Sequence, residues 1–309
     1  MSAKLSEILS QGNFSPLKAH ASTKKFYLGK FDGRERLLIV FELGKEEREN
    51  FHKLTNFLLS QQISVPRIVH SPDDDEPFLI TEFVEGKLLS QTICDEPIFE
   101  KALEEAKKFS LLKLDSSKGL EFSTLDFARL NYELNFFLLH FCEGFLNESV
   151  DQETRKALNS LAKEVDSFPK SLCHRDYHSE NIIVKNGNIF ILDYQDALFA
   201  PRTYDFASLY VDGYFNFSKK ARESIKNYAL SHFGALEEEF LKTALERTLK
   251  ALGTFGFQIV HRKKAKYIAS VKRTVNYLDE LATPKTIENE KARSYLKGLQ
   301  TKITSELCG

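Results

Sequence analysis

The sequence predicts an α+β chain built as two lobes, a small strand-rich one followed by a larger helical one. Three observations carry this reading. Over the first 86 residues, short β-type apolar runs are separated by turn residues. From Lys87 onward the apolar residues recur at helical spacing instead. One short strand–turn–strand, NIIVKNGNIFILD, then interrupts the helices at residues 181–193.

The elements follow in order. KKFYLGKFDG and RERLLIVFEL read as two strands joined at Asp32-Gly33, a strong hairpin signal. EERENFHKLTNFLLSQQ follows as a helix with Phe51, Leu54, Phe57 and Leu58 on one face. VPRIVH and PFLITEFVEG read as further strand, with SPDDDEP as an exposed turn between them. The expected boundary falls near Gly86, giving a first lobe over 1–86 and a second over 87–309, joined around Glu82–Lys87. In the second lobe, FEKALEEAKKFSLLKL, RLNYELNFFLLHFCEGFL and VDQETRKALNSLAKEVDSF carry helical periodicity. After the strand–turn–strand, helices resume with KKARESIKNYALSHF, LEEEFLKTALERTLKALGTFGFQIVHR and IENEKARSYLKGLQTKITSEL. No internal repeat or low-complexity linker appears.

At 309 residues, 42% hydrophobic and 28% charged, the chain has the balance of an ordinary globular protein. Its net charge of −1 makes no general case for nucleic acid or an anionic membrane, so neither is expected as a partner. Cys94, Cys142, Cys173 and Cys308 lack the close spacing of a disulfide framework or zinc cluster. They read as reduced thiols. The opening MSAKLSEILSQGNF has no apolar core of signal-peptide length, no run approaches a membrane span, and ELCG is not a prenylation box. A cytoplasmic protein, and a monomer, is the expectation.

The chemistry is concentrated in LCHRDYHSENIIVKNGNIFILDYQDA, residues 172–197. His174, Asp176 and His178 sit two apart, and on a strand all three would face one way and could hold a metal. That reading lacks a fourth partner nearby, and His140, His232 and His261 lie on predicted helices without paired spacing. The same letters give His174-Arg175-Asp176 followed five residues later by Asn181, the spacing of a phosphoryl-transfer catalytic loop. Counting outward from the Asn186-Gly187 turn, Ile182 faces Ile191 and Asn181 faces Leu192, so Asn181 and Asp193 share the open end of the hairpin. Strict alternation points those two to opposite faces, so the ladder must break at Asp193 for both to hold one Mg²⁺. One amide oxygen and one carboxylate suffice for a hard cation that keeps several waters. Asp176 would then face the acceptor hydroxyl as base, with His174 supporting the loop and His178 having no ligand role. A set of ordinary polar loop residues, or a catalytically dead remnant, is the bland alternative.

HRDYHSEN, ILDYQDA and PRTYDFASL together resemble the aminoglycoside phosphotransferase/choline kinase superfamily over nearly the whole chain. The shorter strings HASTKKFY, LDYQDALFAPRTYDFASL and NYELNFFLLHF are most similar to bacterial cell-wall amino-sugar kinases. Those enzymes phosphorylate the anomeric hydroxyl of N-acetylmuramate and N-acetylglucosamine. The resemblance implies a two-lobed protein-kinase-like fold with a small β-rich N-lobe for nucleotide and a larger helical C-lobe. It implies ATP and Mg as cofactors, Asp176 as catalytic base, and Asn181 and Asp193 as metal ligands. Asp205 matches a buried acid bracing the catalytic loop, a structural role. Glu82 and Val84 match the hinge that meets the adenine edge through a carbonyl and an amide. Ser22, Thr23, Lys24 and Lys25 match the phosphate-covering turn.

The chain also departs from protein kinases. RLLIVFEL has no lysine where they place the one gripping the α- and β-phosphates, so Lys24 or Lys25 would take that work unless the turn is simply solvated. There is no G-x-G-x-x-G and no A-P-E, and only about a dozen residues separate Asp193 from Asp205. A small-molecule acceptor fits that better than a protein. Glu133, Asp196, Arg202 and Asp212 are the candidate acceptor residues, with Arg202 suited to the lactate of muramate and a solvated helix face as the plain alternative for Glu133. Choline or ethanolamine, homoserine and aminoglycosides stay open as acceptors. A metallohydrolase and a nucleotide-binding pseudokinase are the readings from other classes.

Overall fold

The computed structural model describes residues 3–17, 24–72, 74–92, 96–113 and 119–307. The chain divides into two compact units. The first comprises 1–105, 112–121 and 182–195, and the second 106–111, 122–181 and 196–309.

The first unit is built on a five-stranded antiparallel sheet in the order β1-β2-β3-β5-β4. These strands are β1 (Ser15–Leu17), β2 (Lys24–Phe31), β3 (Arg34–Phe41), β4 (Ile68–His70) and β5 (Phe78–Glu82). Asp32 and Gly33 both take positive φ, so β2 and β3 close through the two-residue turn and Phe31 pairs with Arg34. α1 (Ala3–Gln11), which the strand signals of this region hide, packs Leu5 against Leu38, Phe78 and Ile80 of the sheet. α2 (Lys45–Ser60) buries Phe51, Leu54, Phe57 and Leu58, the face its periodicity specifies. Its Arg48 is buried too and donates to the carbonyls of Pro72, Asp74 and Glu76, which fastens the acidic turn.

β6 (Lys87–Leu88), β8 (Ile182–Lys185) and β9 (Asn188–Ile191) form a separate small sheet in this unit. The β8–β9 register is the one counted from the sequence, Ile182 with Ile191 and Lys185 with Asn188. The Ile191 amide donates to the Ser64 carbonyl at 2.7 Å, and Tyr194 stacks on Phe51 and shares a 2.8 Å hydrogen bond with Thr55. The end of the hairpin is thereby pinned to α2.

The second unit is helical around one two-stranded pairing, β7 (Lys170–Cys173) with β10 (Leu198–Pro201). α3 (Glu96–Ser110) reaches it with its last turn. Its other helices are α4 (Phe127–Phe137), α5 (Gln152–Ser167), α6 (Tyr204–Tyr210), α7 (Lys219–Phe233), α8 (Glu237–Val260), α9 (Ile268–Leu281) and α10 (Glu290–Leu307). Caps set several of the starts: Asp126 accepts from the Arg129 amide, Asp151 from those of Glu153 and Thr154, Ser218 from that of Ala221. α4 runs on into a π-helical stretch, Leu138–Glu143, where α8 crosses it. The crossing is close because two glycines permit it. A Cβ on Gly253 would come within 2.8 Å of the Phe137 Cα, and one on Gly256 within 2.6 Å of the His140 carbonyl oxygen. Among the described residues no helix is long and apolar enough to cross a membrane.

Candidate active site

The loop between β7 and β8 owes its shape to Asp205. That carboxylate, buried at the start of α6, accepts from the His174 amide at 2.7 Å and the Arg175 amide at 3.0 Å. Burial pushes it up to about 6, against the opposing pull of His174 and the two amides. Arg175 sits at a φ of 78°, a strained setting for a side chain of its size, and Asp205 holds it there. Arg175 also donates to Glu133 at 3.1 Å. Glu133 is therefore buried against the loop from α4, not on a solvated helix face. His174 is buried edge-on between Phe109 and Tyr177.

Asp176 follows at the edge of a cavity lined by Ser208, Asp212, Tyr214, Arg247, Lys250 and Thr254, with its own carboxylate and His178 in the wall. Its Oδ1 accepts from Lys250 Nζ at 2.8 Å and Arg247 Nη2 at 3.3 Å. Oδ2 has no donor among the described residues. Burial alone would raise this carboxyl, but Lys250 and Arg247 together outweigh it and hold it well below the usual carboxylate range. Asp176 is thus an anion at neutral pH with one oxygen clamped and the other open.

Asn181 closes the loop. Its Nδ2 donates to the Asp176 carbonyl at 2.9 Å, which commits the nitrogen and leaves the amide oxygen as the atom available to a cation. Asp193 stands just past β9 at a φ of 60°, beyond the last rung of the strand ladder. Its Oδ1 accepts from Gln195 at 2.7 Å and the residue is exposed. Taken singly, each residue offers a hard oxygen of the kind that Mg²⁺ takes.

His178 is half-buried against Tyr214, and the loss of solvent around its ring depresses it to about 3, so it stays neutral. Residues 174–178 form a loop and not a strand, which removes the common face that a three-ligand metal site needs. Among the described residues no three His, Cys, Asp or Glu side chains converge on one point. His140 and His261, unpaired by sequence spacing, do meet, with Nδ1 and Nε2 at 3.1 Å where the π-helical stretch passes the end of α8.

The other expected site residues distribute unevenly. Asp212 lines the cavity, yet its oxygens are occupied by the amides of Ser179, Tyr214 and Phe215, so it shapes the wall. Arg202 is not brought to the cavity. It pairs with both oxygens of Glu239 at 3.2 and 3.3 Å and donates to the Phe233 carbonyl, which satisfies its guanidinium elsewhere. Asp196 is exposed on a single 3₁₀ turn, outside the cavity lining. In the first unit, Lys24 is buried on β2, 3.8 Å from Glu47 of α2 and over the Phe51 ring. Lys25 points out to Glu42, whose hydrogen bond raises it. Ser22 and Thr23 lie outside the described residues. Glu82 pairs with Arg36 across the sheet, and Val84, buried just beyond the last rung, has no carbonyl partner for its amide among the described residues.

The residues missed in the sequence are Arg247 and Lys250. Arg247 also donates to Ser208 at 2.8 Å, and Arg247, Lys250, Ala251 and Thr254 present one face of α8 to the cavity. The available signal was a run, TALERTLKALGTFGF, whose charges interrupt an otherwise apolar helix, because charges in such a helix are buried only when paired.

The phosphotransferase enzyme family model matches residues 13–241. The N-acetylmuramate/N-acetylglucosamine kinase of Pseudomonas aeruginosa is 27% identical over 85% of this chain and 82% of its own length. The Neisseria meningitidis kinase of the same name is 24% identical over 71% of each. Among solved structures, spectinomycin phosphotransferase in complex with ADP and spectinomycin is similar with a TM-score of 0.62 and 13% identity, over 98% of this chain and 99% of that one. Plasmodium vivax ethanolamine kinase is similar at 0.61 and 18% identity, over 90% and 83%. The braced loop, the open carboxylate on it and the extent of these matches lead to one conclusion: the chain belongs to the phosphotransferase enzyme family and is a small-molecule kinase.

Proposed function

We propose that this phosphotransferase moves the γ-phosphoryl group of ATP to the anomeric hydroxyl of an N-acetyl amino sugar, N-acetylmuramate or N-acetylglucosamine. The observation that carries the reading is Asp176, ionised on a braced loop, with Oδ2 open beside a cavity and Oδ1 held by two cations. The sugar identity rests on the names of the relatives at 24–27% identity. The nucleotide site is assigned to 1–86 and the acceptor site to 87–309, without a membrane or nucleic acid in either role.

In the proposed step the acceptor hydroxyl donates to Asp176 Oδ2. Its oxygen forms the new bond to the γ-phosphorus, the bond to the β–γ bridging oxygen breaks, and ADP leaves as Asp176 takes the proton. Asp176 orients that hydroxyl throughout and takes charge of its proton only late, consistent with a carboxyl held so acidic. Asn181 and Asp193 are assigned to Mg²⁺, which when bound would neutralise the phosphate charge. Lys24, held by Glu47, is assigned to the phosphates in place of the missing third-strand lysine. Val84 supplies the hinge amide, and Asp205 and His174 keep the loop in shape. The test is ADP release across N-acetylmuramate, N-acetylglucosamine, choline, ethanolamine, homoserine and an aminoglycoside, each with Mg²⁺. Turnover of either sugar far above the rest is the expected result. Preference for any other acceptor overturns the sugar assignment, and ATP binding without turnover of any leaves a pseudokinase.

A further inference from the structure

The cavity beside Asp176 has an unbalanced set of polar groups. Lys250 carries three N–H donors, and its one hydrogen-bond partner among the described residues is Asp176 Oδ1. Arg247 lies behind it, with Nε on Ser208 and Nη2 on the same oxygen. Two other polar groups of the cavity wall are in use: Ser208 Oγ receives Arg247, and the oxygens of Asp212 receive three backbone amides. Thr254 turns its own hydroxyl back to the Lys250 carbonyl at 3.1 Å. Open at the cavity are an acceptor, Asp176 Oδ2, and the remaining donors of an ammonium and a guanidinium, with an unpartnered His178 Nδ1 in the same wall. A hydroxyl satisfies the first. An oxygen acceptor on the same ligand satisfies the second, and a carboxylate does so best, because a charge-assisted bond is roughly twice as strong as a neutral one.

We infer that Lys250, backed by Arg247, is the acceptor-recognising cation of this chain and takes a carboxylate carried on the same small molecule whose hydroxyl meets Asp176. This deepens the amino-sugar reading and rests on it. It gives to α8 the role the sequence had suggested for Arg202, which Glu239 and Phe233 hold elsewhere. It also separates the two sugars, since N-acetylmuramate carries a carboxylate and N-acetylglucosamine does not.

The experiment compares kcat/KM for N-acetylmuramate, its methyl ester and N-acetylglucosamine, in wild type, Lys250→Met and Lys250→Arg. The ester keeps the bulk of the lactyl arm and removes its charge. Wild type should favour the acid over the ester by tenfold or more, with the difference in KM. Lys250→Met should bring acid and ester to within about twofold of each other, and Lys250→Arg should restore most of the preference. The inference is overturned if wild type treats acid and ester alike. It is equally overturned if Lys250→Met lowers kcat for all three acceptors by one common factor, which would make Lys250 a partner of Asp176 only. A wild type that phosphorylates neither sugar nor the ester overturns the amino-sugar reading and this inference with it. That outcome is distinct from turnover without charge preference, which removes this inference alone.

Discussion

Glu246 is fully buried on α8 beside Glu133, and burial, added to the charge of that second carboxyl, pushes it up to about 8 from an ordinary 4.5. With both groups ionised, neither Glu246 oxygen has a donor; a proton on Glu246 supplies one to Glu133. Between the two pKa values the folded chain keeps a proton that the unfolded chain has released. The unfolded state then binds fewer protons, so the contribution to stability falls as pH rises through that window and levels off above the folded value. At about 1.4 kcal/mol per pH unit, the loss between pH 5 and 7.5 comes to about 3 kcal/mol. Glu246→Gln keeps the side chain's shape, offers Glu133 an N–H at every pH and cannot titrate. Urea unfolding across that range should show the variant's stability relative to wild type improving by about 3 kcal/mol from the low end to the high end. Parallel stability profiles would refute the reasoning, because a gap independent of pH means that Glu246 ionises alike in the folded and unfolded chains.

Asp176→Asn should retain nucleotide binding and lower kcat by about 10²-fold or more, measured by ADP release; unchanged turnover removes Asp176 as the base. Asp193→Ala should weaken Mg²⁺-nucleotide binding by calorimetry while leaving the thermal midpoint near that of wild type, since Asp193 is exposed. Undiminished affinity would count against its ligand role. Lys24→Met should raise the KM for ATP at least tenfold and Lys25→Met should change it less than about twofold; the reverse order would return the phosphate role to Lys25. Gly253→Ala should cost about 1–3 kcal/mol by thermal denaturation, because its Cβ would press on the Phe137 backbone at 2.8 Å. Wild-type stability in that variant would mean that α4 and α8 separate freely.

Much of the architecture is legible in local sequence because its causes are local. Asp32-Gly33 and Asn186-Gly187 take the two positive φ values of a tight hairpin turn, so the register on either side follows by counting. The apolar stripe of α2 and the spacing of Asp176, Asn181 and Asp193 are of the same kind, set by helix period and chain connectivity. α1 escaped because nine residues with little amphipathic length stand before stronger strand signals, and its helix is stabilised by packing on Leu38, Phe78 and Ile80.

The site's electrostatics are of the other kind. By itself the sequence determined the family, through Asp176, Asn181 and Asp193 at fixed separations along one loop and hairpin. Only the tertiary structure decided which charges face one another. Arg202 and Lys250 look equally available in the sequence, yet one is paired with Glu239 and the other clamps Asp176 across 74 residues of chain. Glu133 meets Arg175 across 42 residues and Lys24 reaches Glu47 from a neighbouring element, pairings that no local period encodes. The physical reason is that a buried charge is stable only opposite a partner, and the fold determines which partner comes within reach.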